Sequence, residues 1–230
     1  MAPNRRKEFS LPGPKPPDRR RFWTAGGLRP ADLTLLRSAL SDELPTQTPE
    51  PSLVILCGLP GTGKSHFARQ LAHRAPFLWL NSDRIRKALV AQPSYSRREH
   101  RRVFAAMHVL TRGYLCDGYS VVFDATNLNE KVRAPLYAIA ADAGVDPLII
   151  RFTASPALVR QRLADRASGA ADAAQSDAGW EVYSRMAVAD QPVPHPHILV
   201  QTPEDMEPAL HETLRRTIGP GQPEPHRAAP

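Results

Sequence analysis

Short apolar runs alternate with longer segments of helical spacing from residue 52 to about residue 217. Runs at residues 53–57, 76–80, 120–123, 147–152 and 197–201 are nearly continuous in apolar side chains, which is typical of strands buried on both faces. Helical spacing is found at residues 64–74, 83–91, 96–117, 130–143, 156–168, 178–189 and 204–217. The alternation predicts an α/β fold with a five-stranded, mainly parallel sheet flanked by helices. Ligands of such sheets bind beyond the carboxyl ends of the strands, so the residues after each run are candidates for chemistry.

Composition separates the two ends of the chain from its middle. Residues 1–30 carry eight cations against two anions, which is +6 of the net charge of +7, and residues 1–51 hold nine of the 24 prolines. These features predict a basic, Pro-rich arm at residues 1–51 that is mostly disordered, with a short helix near residues 32–40. We expect one catalytic domain at residues 52–218 and a disordered tail at residues 219–230.

The sequence also limits the cellular setting. No uncharged apolar run approaches the roughly 18 residues needed to span a bilayer, and no apolar stretch follows the basic N-terminus. Cys57 and Cys116 are the two cysteines, too few for a disulfide framework. We therefore expect a protein without a membrane segment or a secretory signal, in a reducing cytoplasm.

A glycine-rich segment, GLPGTGKS, occupies residues 58–65 directly after the first run. It has the GxxxxGK[ST] pattern between a predicted strand and a predicted helix, which is the setting of a P-loop whose backbone N–H groups surround phosphate. In such a loop Lys64 reaches the β- and γ-phosphates and the Ser65 hydroxyl binds Mg²⁺. A chance glycine-rich turn is the alternative. The residues expected to contact ATP are Gly58, Leu59, Pro60, Gly61, Thr62, Gly63, Lys64, Ser65 and His66.

A carboxylate and an arginine follow the second run. Asp83 falls at the start of a predicted helix and Arg86 lies three residues later, so both can face the same side of its first turn. A carboxylate here could accept a proton from an attacking hydroxyl. Asp83 and Arg86 are therefore candidates for catalysis and for substrate binding. The alternative is that Ser82 or Asp83 only caps the helix.

The next predicted helix combines a core stripe with a dense cluster of cations. Ser96 and Glu99 have capping-box spacing at its start. The stripe expected in the core consists of Val103, Met107, Leu110 and Tyr114. Seven cations lie within residues 84–102, and those in the first turns of the helix oppose its dipole. An anionic partner is one explanation, and a solvated face partly offset by Glu99 is the other.

Polar residues also follow the third run. An aspartate at the end of an apolar strand downstream of a P-loop, here Asp124, is the usual second contact of Mg²⁺, either direct or through water. Thr126 and Asn127 are short polar groups suited to touch phosphate or substrate, and we expect Arg133, one turn into the next helix, to face the site. A plain strand-to-helix cap is the alternative for Asp124.

A cluster of arginines follows the fourth run. Arg160, Arg162 and Arg166 lie on one predicted helix, and small residues follow it over residues 167–178. Arginines beside such a segment suit a lid that closes over a transferring phosphoryl group. The alternative is a surface helix paired with Asp165.

Together these motifs resemble the small P-loop kinases of the polynucleotide 5′-hydroxyl kinase and zeta-toxin-like group, an AAA-type ATP-binding kinase family. The resemblance covers about residues 52–203. It rests on GLPGTGKS at 58–65, SDRIRK at 82–87, DATNLN at 124–129 and RQRLADR with SDA within 160–178. It implies a five-stranded parallel sheet, transfer of the ATP γ-phosphate to a hydroxyl, and Asp83 as general base. It also implies Arg86 as an acceptor or phosphate contact and Arg162 or Arg166 as lid arginines.

The favoured hypothesis is therefore a kinase that uses ATP and Mg²⁺ on a hydroxyl acceptor, with a nucleic-acid 5′-hydroxyl as one candidate. Nucleic acid would be held by the basic arm and residues 84–102. A kinase for a small metabolite, antibiotic or nucleotide sugar is the second hypothesis. The third is an ATP-dependent nucleic-acid-binding protein without transfer activity. The sequence leaves the acceptor and the oligomeric state open.

Overall fold

A five-stranded parallel sheet forms the centre of the computed structural model, which describes residues 27–167 and 179–218 except the side chains of Arg166 and Ala167. The expectations for residues 1–26, 168–178 and 219–230 lie outside the described residues. The sheet order is β2-β3-β1-β4-β5, and every neighbouring pair is parallel. The predicted fold is thus confirmed. The strands are β1 Leu53–Cys57, β2 Phe77–Asn81, β3 Ser120–Asp124, β4 Pro147–Phe152 and β5 His197–Val200.

Helices connect the strands and cover both faces of the sheet. Their bounds lie within three residues of those predicted for segments 64–74 to 204–217. Short 3₁₀ turns occupy Ser41–Glu43 and Pro203–Asp205. The helices are α1 Pro30–Leu40, α2 Lys64–Arg74, α3 Ser82–Leu89, α4 Arg97–Cys116, α5 Glu130–Ala143, α6 Pro156–Ala167, α7 Trp180–Ala187 and α8 Met206–Thr217. None of the helices within the described residues is both long and apolar enough to cross a membrane.

The period of two along the central strand divides the core into two layers. Leu53 and Ile55 of β1 pack with α1, α4 and α5 on one face, whereas Val54 and Leu56 pack with α2 and α8 on the other. The predicted core stripe of α4 is buried as expected. The layers hold the carboxyl ends of β1, β2 and β3 level, because Leu56 and Asn81 are both in register with Asp124.

The folded unit begins earlier in the chain than the sequence indicated. Helix α1 buries Leu36 and Leu40 in the same cluster as the central strand. The buried carboxylate of Asp32 accepts two hydrogen bonds from Arg102 of α4, at 2.8 Å and 2.7 Å. The short helix expected near residues 32–40 is present as α1, and its leucines lose their contact with water by packing on the sheet layer.

Candidate active site

The glycine-rich segment forms a tight loop between β1 and α2. Gly58, Gly61 and Gly63 have φ angles of 147°, 78° and 106°, a backbone region that other residues rarely adopt. A Cβ atom at Gly58 would lie 2.5 Å from the carbonyl oxygen of Phe152 on β4. The first glycine thus permits the close approach of two strand ends. The loop leads directly into α2, whose positive end is suited to bind phosphate.

Lys64 is the charged group at the centre of the loop. Its ammonium Nζ donates to the carbonyl oxygen of Leu59 at 2.8 Å, and the residue is only 7% exposed. Burial lowers the pKa of Lys64 to about 8, while the negative charges of Asp124 and Asp83 act to raise that pKa. The fold therefore brings the P-loop lysine and both predicted carboxylates within electrostatic reach of each other.

The other loop residues differ in their exposure. Thr62 is buried and its Oγ1 donates to the Leu59 carbonyl at 2.8 Å, which stabilises the turn. Pro60 is also buried, Ser65 is half-buried at the start of α2, and His66 is exposed. The loop that precedes α2, and that carries most of the predicted ATP contacts, is thus held in shape by its own hydrogen bonds.

Asp124 ends β3 and is almost fully buried. Its Oδ2 accepts hydrogen bonds from Trp79 Nε1 at 3.0 Å and from Asn81 Nδ2 at 2.7 Å. Within residues 27–167 and 179–218, its second oxygen, Oδ1, accepts no hydrogen bond. Asp124, at the end of β3, supplies a carboxylate oxygen, and Ser65, at the start of α2, supplies a hydroxyl. Mg²⁺ prefers such hard oxygen ligands, with phosphate and water completing the shell. The donor set therefore fits Mg²⁺ held by Ser65 and Asp124.

Asp83 lies in the first turn of α3, where its side chain is half-buried. The cap of this helix is Asn81, whose Oδ1 accepts from the backbone N–H groups of Asp83 and Arg84 at 3.0 Å and 2.9 Å. The alternative in which Ser82 or Asp83 caps the helix is therefore wrong. The carboxylate of Asp83 lies within electrostatic reach of the P-loop ammonium of Lys64.

Arg86 takes a different position from the one expected of an acceptor contact. Its buried guanidinium forms an ion pair with Glu99 of α4, and the ring of Tyr95 lies over it at 4.6 Å. Burial alone would raise the pKa of Glu99, but hydrogen bonds from Arg86 and Ser94 lower it to about 2. Ser96 caps α4 as predicted, yet the carboxylate of Glu99 binds Ser94 and Arg86 rather than closing a capping box.

The residues after β3 hold the loops together. Thr126, half-buried, accepts the N–H of Gly58 at its carbonyl oxygen at 2.9 Å, which ties the P-loop to the end of β3. Asn127 is 1% exposed, has a φ of 46°, and donates from Nδ2 to the Leu56 carbonyl at 2.7 Å. The expected contact of Asn127 with substrate is not favoured by this burial, because its amide is bonded to β1.

Arg133 does not face the site, contrary to expectation. Its side chain is 0% exposed, and it donates to the carbonyl oxygens of Asn127 and Pro192, both at 2.9 Å. The guanidinium satisfies two loops that approach each other above α5. Arg133 is therefore a structural residue that shapes the loop after β3 rather than a group open to substrate.

The arginines of the predicted lid helix contact different parts of the structure. Arg162 of α6 donates from Nη1 to the carbonyl oxygen of Gly61 at 3.3 Å, so it lies on the P-loop. Arg160 instead stacks on the ring of Trp180 at 4.2 Å, at the start of α7. The side chain of Arg166 lies outside the described residues. One of the two predicted lid arginines thus contacts the loop that it was expected to cover.

Three neighbours of the site were missed from the sequence. Trp79 and Asn81 bind Asp124, and their signal was only their place at the end of an apolar run. Met206, at the start of α8, has its Cε 3.3 Å from where a Cβ of Gly63 would stand. It gave no signal, because its place beside the P-loop depends on the packing of α8 against α2.

The glycine-rich loop at the carboxyl end of β1, the strand order and the carboxylate ending β3 define a P-loop NTPase fold. The sequence profile of the AAA domain family matches residues 53–189, more than half of the chain, and the protein belongs to this family. A comparison with curated proteins found no significant match.

Three solved structures are similar to this chain over nearly their whole length. A protein of Chloroflexus aurantiacus assigned as a kinase is 22% identical, with a TM-score of 0.59 over 74% of this chain and 100% of its own. Chaetomium thermophilum Kti12 in complex with ADP-AlF3 is 17% identical, with a TM-score of 0.56 over 73% and 100%. The Mycobacterium tuberculosis APS kinase CysC in complex with AMPPNP and APS is 19% identical, with a TM-score of 0.52 over 73% and 97%. At these identities the similarity establishes the fold.

Proposed function

We propose that the protein is an ATP-dependent kinase of the polynucleotide 5′-hydroxyl kinase and zeta-toxin-like group, which phosphorylates a hydroxyl of an anionic acceptor. The observation that carries the proposal is the position of Lys64. The negative charges of Asp83 and Asp124 both act on this P-loop ammonium. A metal carboxylate and a general base that both act on the phosphate-binding lysine would serve a single transfer.

The residues divide the work of phosphoryl transfer. Lys64 and the P-loop N–H groups hold the phosphates, and Arg162 adds positive charge where it contacts the loop. Asp83 orients the acceptor hydroxyl and takes its proton as the oxygen bonds to the γ-phosphorus and the bond to ADP breaks. Mg²⁺, held by Ser65 and Asp124, would supply charge that neutralises the phosphates when bound.

Exposed arginines favour an anionic acceptor. Arg97, Arg98 and Arg101, in the first turns of α4, are exposed, and they form no ion pair within residues 27–167 and 179–218. Their helix follows the loop that packs on α3, the helix of Asp83. A nucleic acid with a free 5′-hydroxyl is therefore the first acceptor to test. The cations of the arm, within residues 1–29, are proposed to bind the same nucleic acid.

A small metabolite, antibiotic or nucleotide sugar is the second candidate acceptor, because part of the cationic cluster is already neutralised. Arg84, Arg86 and Arg102 pair with Glu43, Glu99 and Asp32. Salt separates the two candidates. Binding of an oligonucleotide through several phosphates should weaken steeply between low and physiological salt, whereas a small neutral acceptor should respond little.

Transfer of label from γ-labelled ATP tests the proposal directly. The wild type is incubated with 5′-hydroxyl oligonucleotides and with a metabolite extract, beside Asp83→Asn and the matched control Asp117→Asn, an exposed residue at the end of α4. We expect label on one acceptor class, a loss of at least 100-fold in Asp83→Asn, and a control that resembles wild type. Full transfer by Asp83→Asn would overturn the base assignment. ATP binding with no labelled product from any acceptor would favour a binding protein.

A further inference from the structure

A single asparagine connects the two carboxylates of the site. Asn81 ends β2 directly beside Asp124, its partner in the parallel register of β2 and β3. Its Oδ1 accepts the N–H groups of Asp83 and Arg84 and so fixes the start of α3. Its Nδ2 donates to Asp124 at 2.7 Å. Both ends of one buried amide are thus occupied by the elements that carry the proposed base and the proposed metal ligand.

Trp79 approaches the same carboxylate from the same strand. Alternate residues of a strand point to one face, and the indole Nε1 of Trp79, two residues before Asn81, donates to Asp124 at 3.0 Å. Both hydrogen bonds end on Oδ2. The carboxylate cannot rotate without breaking one of them, so Oδ1 is held in a fixed direction.

We infer that Asn81 and Trp79 are positioning residues that select Oδ1 of Asp124 as the metal contact. This inference rests on the proposed function, in which Asp124 holds Mg²⁺. A carboxylate with one oxygen saturated by two donors offers the other oxygen alone, which suits a metal that keeps most of its shell for phosphate and water. Partners of this kind typically change metal affinity or activity by 10- to 100-fold when removed.

The substitution Asn81→Ser removes the hydrogen-bond donor to Asp124 but keeps a residue that can cap α3. Serine remains a good helix cap, so α3 keeps its start, but the hydroxyl is too short to reach Asp124. The chain offers a matched control in Asn129→Ser, because Asn129 caps α5 with its Oδ1 at the N–H of Val132 and belongs to a different helix. Trp79→Phe removes the second donor while keeping an aromatic ring.

Binding of Mn²⁺, followed by electron paramagnetic resonance in the presence of a non-hydrolysable ATP analogue, tests the inference without turnover. We expect Asn81→Ser and Trp79→Phe each to weaken Mn²⁺ binding about 10-fold or more. Binding of the analogue in EDTA should stay within about twofold of wild type, since the donors act on the carboxylate and not on the P-loop. In kinetic assays the Mg²⁺ concentration for half-maximal rate should rise more than kcat falls.

The outcomes separate this inference from the proposed function. Equal Mn²⁺ binding in Asn81→Ser, Asn129→Ser and wild type would overturn the role of Asn81, whatever the acceptor. If the wild type transfers no phosphate but Asn81→Ser still binds Mn²⁺ more weakly than wild type, the positioning role is supported and the kinase assignment is contradicted. Circular dichroism checks folding, and if Asn81→Ser does not fold, Trp79→Phe gives the same comparison at a half-exposed position.

Discussion

Replacing Lys64 by methionine should stabilise the free protein while it removes nucleotide binding. Lys64 is 7% exposed, and burial lowers its pKa from 10.5 to about 8, although the negative charges of Asp124 and Asp83 oppose this shift. Folding therefore transfers a charge out of water into a site that only partly compensates it. The phosphate contact proposed for Lys64 would thus come at a cost in stability.

The magnitude follows from the pKa shift. The fall from 10.5 to about 8 corresponds to about 3 kcal/mol, at about 1.4 kcal/mol per pH unit. Methionine also removes the hydrogen bond from Nζ to the Leu59 carbonyl, which offsets about 1–2 kcal/mol of the gain. The net expectation is about 1–2 kcal/mol of extra stability, or roughly 2–8 °C in Tm for a chain of this size.

Urea unfolding at several pH values measures the effect. Below pH 8 both the folded and the unfolded wild type carry the proton on Lys64, so the advantage of Lys64→Met is complete there. Between about pH 8 and 10.5 the unfolded state binds more protons than the folded state, so wild-type stability rises relative to the variant and the advantage shrinks. Lys131→Met, at an exposed position of α5, is the control and should resemble wild type. A Lys64→Met variant that is less stable than wild type at pH 7, or whose difference does not change with pH, would refute the reasoning.

Three other substitutions test the packing around the site. Glu99→Gln leaves the buried charge of Arg86 without its partner, so urea unfolding should show a loss of about 3–5 kcal/mol in the free energy of unfolding at pH 7. Because the pKa of Glu99 is lowered from 4.5 to about 2, the difference between wild type and variant should disappear as the pH falls from 4.5 towards 2. Asp32→Asn should lower stability by about 1–2 kcal/mol and speed amide hydrogen exchange in α1, and unchanged exchange would contradict the docking of that helix. Gly58→Ala places a Cβ atom 2.5 Å from the Phe152 carbonyl, so we expect a lower Tm and at least roughly 10-fold weaker binding of an ATP analogue by calorimetry; a wild-type Tm would argue against the clash.

The sequence was sufficient where the chemistry is local. The apolar runs predicted the five strands, and the glycine spacing predicted the P-loop, because hydrophobic period and backbone freedom are properties of neighbouring residues. The sequence did not predict the first residue of a helix where three adjacent residues can each act as its cap. Asn81, Ser82 and Asp83 can each start a helix, and the choice is made by β2, which pairs with β3 as far as Asn81.

Charged residues were the hardest to place, because their partners are distant in the chain. Arg133 looks like a surface residue one turn into a helix, yet one of its two partner carbonyls, that of Pro192, lies 59 residues away. Arg86 finds Glu99 across 13 residues and a change of helix. Burying an arginine is tolerated only when acceptors surround it. Those acceptors are supplied by tertiary structure, which a single sequence does not reveal.

The cationic cluster at residues 84–102 shows what these pairings do to an argument from net charge. Its seven cations suggested a broad surface for polyanions. Among the ion pairs of the described structure, three neutralise arginines of this cluster. Two of their three acids precede β1, in α1 and in the turn after it. A polyanion that docks on the described face therefore meets chiefly the exposed arginines at the start of α4, rather than the whole cluster. Release of counterions from about three phosphates would then set the salt dependence of polyanion binding. Helix α1 and the turn after it reduce the positive charge of the face on which they pack. The ion pairs are Arg84–Glu43, Arg86–Glu99 and Arg102–Asp32.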